Sequence, residues 1–184
     1  KAYLEEALKL LKLSKGRALL LFTSYARMNE VANTLQRLVP WNVLVQSKMP
    51  KTDLLNNFKR DINSVLLATL SFWQGIDVPG ESLTVVLIDR LPFTRPSLPI
   101  HIGRCQAVSE SGQNGFMAYS VPEMTLTLRQ GLGRLLRTGN DRGVLAIFDN
   151  RLIKCHYGKT ILKSLPPSPL VKKLSDLQDF MKEL

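Results

Sequence analysis

The sequence predicts an α/β fold, a parallel sheet flanked by helices. Three observations carry this expectation. Short, almost wholly apolar runs recur along the chain, stretches of helical period separate them, and 45% of the 184 residues are apolar, enough to build a core. An apolar run of strand length without alternation suits an interior parallel strand, which helices cover on both faces. Strands separated by helices make βαβ units and hence a parallel sheet.

Each element follows in order. Tyr3 to Leu13 places Leu4, Ala7, Leu8 and Leu11 at helical spacing, and Gly16 ends that helix. Arg17 to Thr23 (RALLLFT) is the first strand. Ser24 is placed to cap a helix over Arg27 to Leu38, with Val31, Leu35 and Leu38 facing inward. The cycle repeats with a strand at Asn42 to Gln46, a helix at Lys51 to Arg60 carrying Leu54, Leu55 and Phe58, and a strand at Ser64 to Leu70. Leu83 to Asp89 and Gly143 to Asp149 complete the strands. Between Arg90 and Pro122, four prolines and three glycines mark an excursion from the sheet, helical around Ile100 to Glu110. A helix from Glu123 to Arg137 carries the stretch QGLGRLLR. Beyond Arg151 come a helix near Tyr157 to Leu165, the breaker Pro166 to Pro169, and a tail helix. That tail, Leu170 to Leu184, spaces Leu170, Leu174, Leu177, Met181 and Leu184 at 4-3-4-3. The whole is expected to be one domain over residues 1–184, with a helical excursion at about 95–122 and a C-terminal helix at about 170–184.

Composition narrows the function. The net charge of +10, from 25 Lys and Arg against 15 Asp and Glu, makes a polyanion a plausible partner, nucleic acid first. The longest apolar runs are too short to span a membrane as a helix, and no signal-peptide pattern opens the chain. It begins at Lys1 rather than Met, so it is expected to be a piece of a longer protein. Cys105 and Cys155 lie fifty residues apart with only His101 and His156 near them, too few ligands for structural zinc. They read as buried thiols of a cytoplasmic protein, no metal site is expected, and the histidines read as surface or capping residues.

Open parallel sheets bind ligands beyond the carboxyl ends of their strands, and three segments leave that edge with polar or glycine-rich sequence. Phe22-Thr23-Ser24-Tyr25 offers hydroxyls at a helix start, where phosphate binds readily; the plain alternative is a helix cap. In the segment from Ala68 to Gly80, Thr69 and Ser71 can hydrogen-bond phosphate, Phe72 and Trp73 can stack, Gly75 allows close backbone approach, and Asp77 can accept from a ribose hydroxyl. The alternative there is a turn around a buried Trp. In QGLGRLLR, Arg134 and Arg137 are three residues apart on one helical face, so their forked donors can clasp a phosphoryl group; the alternative is a solvated pair. No GxxxxGK[ST] phosphate loop occurs anywhere, so the chain is not a complete P-loop NTPase. Nor does GxGxxG follow the first strand, which argues against a Rossmann-like transferase.

Taken together, FTSY, ATLSFWQGIDVPG and RQGLGRLLR, in that order, resemble motifs IV, V and VI of superfamily-two helicases. The details are similar to the DinG-type helicases, relatives of the XPD-like group, through SFW-x-GIDVPG, IDRLPF and IFDNRLIKCHYGKTILKSLPP. The resemblance covers Arg17 to Pro167. It implies a RecA-like domain, the second of two lobes that clamp ATP and its Mg between them. The missing first lobe would carry the phosphate loop, the DE-x-H motif and, in many members, an iron–sulfur cluster. It further implies that Arg137, with Arg134, reaches the γ-phosphate, that Gln130 senses the nucleotide, and that Gly75 and Asp77 line the same cleft. Thr23, Ser24, Thr69 and Ser71 would hold the backbone of single-stranded DNA, with Phe72 or Trp73 beside it. Gln74 departs from the family's usual Glu, which puts in doubt how ATP and DNA are coupled. The rival reading is a non-catalytic nucleic-acid-binding module derived from such a lobe.

Overall fold

The computed structural model describes residues 2–69, 72, 83–135, 142–171 and 173–183, with the backbone alone described at Ala2, Arg134 and Leu135. Gly75, Asp77, Ser71, Trp73 and Arg137, like Gln74, lie outside the described residues, as does the Arg134 side chain.

The chain divides into two compact units. The first comprises residues 1–90, 131–148 and 169–184, and the second residues 91–130 and 149–168. In the first, β1 (Ala18–Phe22) is buried along its whole length. It pairs in parallel with β3 (Val65–Thr69) on one side and β4 (Val85–Ile88) on the other. β2 (Val43–Val45) lies outside β3, and β5 (Val144–Ile147) outside β4. Among the described residues the strands therefore run β2-β3-β1-β4-β5, all parallel, as the apolar runs predict.

Helices of the same unit cover this sheet. In α1 (Ala2–Ser14) Ala7, Leu10 and Leu11 are buried. α2 (Tyr25–Leu38) turns Met28, Val31, Ala32 and Leu35 inward, at the i, i+3, i+4, i+7 spacing of one helical face. α3 (Lys51–Arg60) buries Leu54 and Phe58. The buried side chains of α1 and α2 form one core with Leu20, Phe22, Leu67 and Leu87, against which Tyr3, Trp41 and Phe148 also pack.

In the second unit, α4 (Pro99–Glu110) starts with proline in its first turn, a position where the missing N–H costs nothing. A π-helical turn, Phe116–Ser120, leads directly into α5 (Val121–Leu135), whose residues from Gly131 onward belong to the first unit. α6 (Arg151–Lys154) and α7 (Gly158–Ser164) follow β5. The helix expected near Tyr157 to Leu165 is found at Gly158–Ser164. Two features differ from expectation. A separate short helix, Arg151–Lys154, precedes it and ends where Cys155 leaves helical conformation with ψ 147°. The tail forms a 3-10 turn, Leu174–Leu177, and a short α8, Gln178–Lys182, rather than one helix from Leu170. Among the described residues of its leucine–methionine series only Met181 is fully buried, so packing supports little more than the last turn.

Gly16 terminates α1 for a definite reason. Its φ is +86°, its N–H donates to the Leu11 carbonyl at 3.1 Å, and a Cβ there would lie 2.6 Å from the Asn63 oxygen. Gly16→Ala therefore meets both a left-handed backbone and a backbone clash. It should lower unfolding free energy by about 1–3 kcal/mol, read as a shift of the urea midpoint at unchanged slope.

Candidate functional site

The carboxyl ends of β1, β3 and β4 lie side by side. Phe22 pairs with Thr69 across β1 and β3, and the Asp89 N–H donates to the Leu21 carbonyl at 3.0 Å. The structure thus brings Thr23, Ser24 and Thr69 to one edge, as the order of motifs requires.

Their individual environments differ. Thr23 is exposed. Ser24 is extended, with φ −148° and ψ 144°, and its Oγ accepts the Arg27 N–H at 3.2 Å, so it caps α2. Thr69 is only 6% exposed, and both its N–H and its hydroxyl donate to Gln46 Oε1, at 2.7 and 2.9 Å. Gln46 Nε2 in turn donates to the Tyr25 hydroxyl at 2.9 Å. Tyr25 itself is 49% exposed. Phe72 is 2% exposed, with the Lys51 ammonium 5.2 Å above its ring. Its aromatic face is therefore occupied rather than open for stacking.

A charged network stands at the end of β4. The Asp89 side chain is only 7% exposed and lies 3.7 Å from Arg27 Nε and 3.9 Å from Arg90 Nε. Arg27 also donates to Glu30 at 2.9 Å and lies over the Tyr3 ring at 5.5 Å. Burial pushes the Tyr3 phenol well above its ordinary pKa, the Asp89 charge adds to this, and the Arg27 charge opposes it. Tyr3 thus stays neutral, and its buried hydroxyl has no hydrogen-bond partner among the described residues.

On α5, Gln130 is exposed. A Cβ built at Gly133 would meet nothing within 4 Å among the described residues. Close packing therefore does not explain this glycine, although glycine costs a helix about 1 kcal/mol against alanine. Arg134 stands in the helix one residue later.

The second unit holds two polar clusters. Asp149 Oδ2 accepts the Leu91 N–H at 2.9 Å, while Arg151 grips both carboxylate oxygens through Nε and Nη2, at 2.6–3.1 Å. The two residues thus form a local ion pair. The Arg151 guanidinium also lies 5.1 Å from the centre of the Phe93 ring, which stacks on Phe116 and meets Tyr157 edge-on. The other cluster corrects the sequence reading of His101 as a surface or capping residue. His101 is 6% exposed, with Nε2 3.1 Å from Ser120 Oγ and 3.6 Å from Cys105 Sγ. Its Nδ1 lies 3.2 Å from Glu123 Oε2, close in distance but not aligned for a hydrogen bond. Both cysteines are free and half-buried rather than fully buried. Among the described residues, no group of three or more His, Cys, Asp or Glu is arranged to hold a metal ion, and no helix is long and apolar enough to cross a membrane.

With this geometry in hand, comparison with known proteins is decisive for the family. The family described as the helicase C-terminal domain matches residues 7–168. The chain belongs to that family. This helicase C-terminal domain is 41% identical over 177 residues to the ATP-dependent DNA helicase YoaA of Haemophilus influenzae, covering 96% of the chain and 28% of the relative. It is 42% identical over 164 residues to the ATP-dependent helicase DinG of Mycobacterium tuberculosis H37Rv, covering 89% and 25%. Among solved structures, the chain called XPD_APO superposes with a TM-score of 0.63 at 19% identity, covering 91% of this chain and 35% of the other. That likeness shows the shared fold: a parallel five-stranded sheet flanked by helices. The resemblance to DinG-type helicases is borne out. The chain spans about a quarter of the length of the curated relatives it matches.

Gln46, Arg27 and Asp89 are polar groups of this edge that the motif reading missed. The available signal was positional: each directly follows, or begins the helix after, an apolar strand.

The Asp149 ion pair yields a pH test. Burial opposes ionisation of Asp149, but hydrogen bonds from the Arg151 side chain and from the Leu91 and Arg151 N–H groups outweigh it, holding the carboxyl below its ordinary 3.8. A depressed folded pKa adds stability above the unfolded value, and this is lost as pH falls through the folded one. Asp149→Asn keeps an acceptor for Leu91 but loses the charge. The stability gap between wild type and Asp149→Asn, followed by urea unfolding, should therefore close between about pH 5 and pH 2.

Proposed function

We propose that this helicase C-terminal domain is the second motor lobe of an ATP-dependent DNA helicase. It would complete an ATP site held mainly by a first lobe of the same polypeptide and grip single-stranded DNA along the carboxyl edge of its sheet. The observation that carries this reading is the family match over residues 7–168. The curated relatives named as ATP-dependent helicases support it.

In this reading Arg137, with Arg134 on the same helical face, stabilises charge that builds on the γ-phosphate during transfer. Two planar guanidinium forks suit three phosphoryl oxygens better than point charges do. The exposure of Gln130 and the open space at Gly133 support approach of a ligand to this helix. Gly75 and Asp77 would face the same nucleotide. Mg would accompany ATP and neutralise phosphate charge. The described residues offer no acidic cluster to hold it, and no step assigned to this chain depends on it.

DNA would lie against Thr23, Ser24, Thr69 and Ser71. Contacts to phosphate of this kind carry little sequence preference. Because Ser24 Oγ and Thr69 Oγ1 already have partners, the described groups best disposed toward phosphate are Thr23 and backbone N–H groups at the start of α2. Burial of Phe72 leaves the stacking role to Trp73. The two free thiols suit a cytoplasmic protein.

Arg137→Ala in the full-length protein should reduce DNA-stimulated ATP hydrolysis by about 10³-fold or more while single-stranded DNA binding is retained. Stimulated hydrolysis at the wild-type rate would remove the finger assignment. The 184-residue chain alone, lacking a phosphate loop, should neither hydrolyse ATP nor unwind a duplex. Turnover by that purified chain, surviving mutation of Arg137, would contradict the division of labour between lobes.

A further inference from the structure

We propose that Gln46 is a positioning residue that ties two parts of the proposed DNA-facing sheet edge, residues 23–25 and Thr69 at the end of β3, into one unit. The proposal deepens the reading above and rests on it. Neither the motifs nor the named relatives assign Gln46 a role.

The argument begins with the strand ladder. β2 pairs with β3 in parallel, with Val45 opposite Leu67, and the Gln46 N–H continues the ladder by donating to the Leu67 carbonyl at 3.0 Å. In a regular parallel pair the next rung would run from the Thr69 N–H to the main-chain carbonyl of Gln46. Here the chain turns away just beyond β2, with the Lys48 N–H donating back to the Val45 carbonyl at 3.0 Å. The side-chain Oε1 of Gln46 stands at that rung instead, 2.7 Å from Thr69 N, and takes the Thr69 hydroxyl as well.

This double acceptance fixes the orientation of the carboxamide. A carboxamide nitrogen donates but cannot accept, so Oε1 must face the Thr69 N–H and Nε2 must face the other way. Nε2 then meets the Tyr25 hydroxyl at 2.9 Å. Tyr25 opens α2 directly after the capping Ser24, and it is the exposed aromatic of the FTSY segment. One side chain thereby spans from the end of β3 to the start of α2. A displacement of the Thr69 segment pulls on Tyr25 through two hydrogen bonds, and the reverse holds equally.

A mere strut would contribute stability and nothing more. A positioning residue should instead change how tightly the edge holds DNA, with less effect on turnover once DNA saturates. The test uses the full-length protein, with oligothymidine as the probe and ATP hydrolysis as the readout. Gln46→Leu removes both acceptor and donor, and should raise half-saturating oligothymidine about tenfold while saturated turnover falls no more than about twofold. Gln46→Glu keeps the acceptor for Thr69 and lets the Tyr25 hydroxyl turn to donate, so it should return to within about threefold of wild type.

A double-mutant cycle then isolates the link. Tyr25→Phe and Thr69→Val should be non-additive in half-saturating DNA by about threefold or more, and that coupling should vanish in the Gln46→Leu background. The proposal falls if Gln46→Leu leaves the DNA dependence unchanged in a stimulated wild-type protein. It also falls if Gln46→Leu loses DNA affinity and turnover in step with thermal stability while Gln46→Glu does no better. A wild-type protein whose hydrolysis ignores DNA removes the helicase reading and this proposal together.

Discussion

Everything at the candidate site depends on the pairing of β1 between β3 and β4. An interior parallel strand has both faces buried, and β1, β3 and β4 show this without exception, every residue being buried. Such strands have no room for chemistry along their length. A polar or charged side chain placed mid-strand would forfeit its hydration with nothing to replace it. Functional groups are consequently pushed to the strand ends, and parallel pairing brings all the carboxyl ends to one edge. The polar groups at the end of β1, Gln46 after β2, Thr69 in β3 and Asp89 after β4 are neighbours for that reason.

The same constraint explains which parts of the structure the sequence could reveal. The strands were legible because burial on both faces leaves an unmistakable run such as ALLLF or VLLAT, and the helices because one buried face imposes a 3.6-residue period. The Ser24 cap was legible from position alone. Other features depend on neighbours distant in sequence. Thr69 and Phe72 look like available ligand-binding groups when read along the chain, yet one is held by Gln46 and the other is covered by Lys51. His101 looks solitary, but α4, the π-helical turn and the start of α5 bring Cys105, Ser120 and Glu123 around it. Gln46 was invisible as a functional residue because its role arises from a ladder register between segments twenty-three residues apart. The tail's 4-3-4-3 spacing implied more helix than its few buried contacts support, since a short helix needs packing to persist.

The glycines of QGLGRLLR show how structure can sharpen a question that sequence poses. Glycine within a helix lowers its stability, so its presence calls for either close packing or close approach by something outside the helix. At Gly133 the first explanation fails among the described residues, because a Cβ would meet open space. Gly158 provides the contrast: a Cβ there would lie 2.0 Å from the Leu152 carbonyl, so packing alone requires it. Among the described residues the helix surface at Gly133 is therefore open, one position before Arg134 in the chain.

The charges at the end of β4 complete this logic. Asp89 is nearly buried, and a carboxylate in that position requires a partner. Arg27 provides one from the first turns of α2, while its exposed part reaches Glu30. The guanidinium is thereby anchored at an edge where phosphate would approach, and its orientation is set before any ligand arrives. Tyr3 beneath it remains a neutral phenol, because ionising it would place a second anion beside Asp89 in a desolvated site. A preorganised cation of this kind does not have to reorganise when a polyanion binds. The ordering cost is met during folding, by the same core that buries β1.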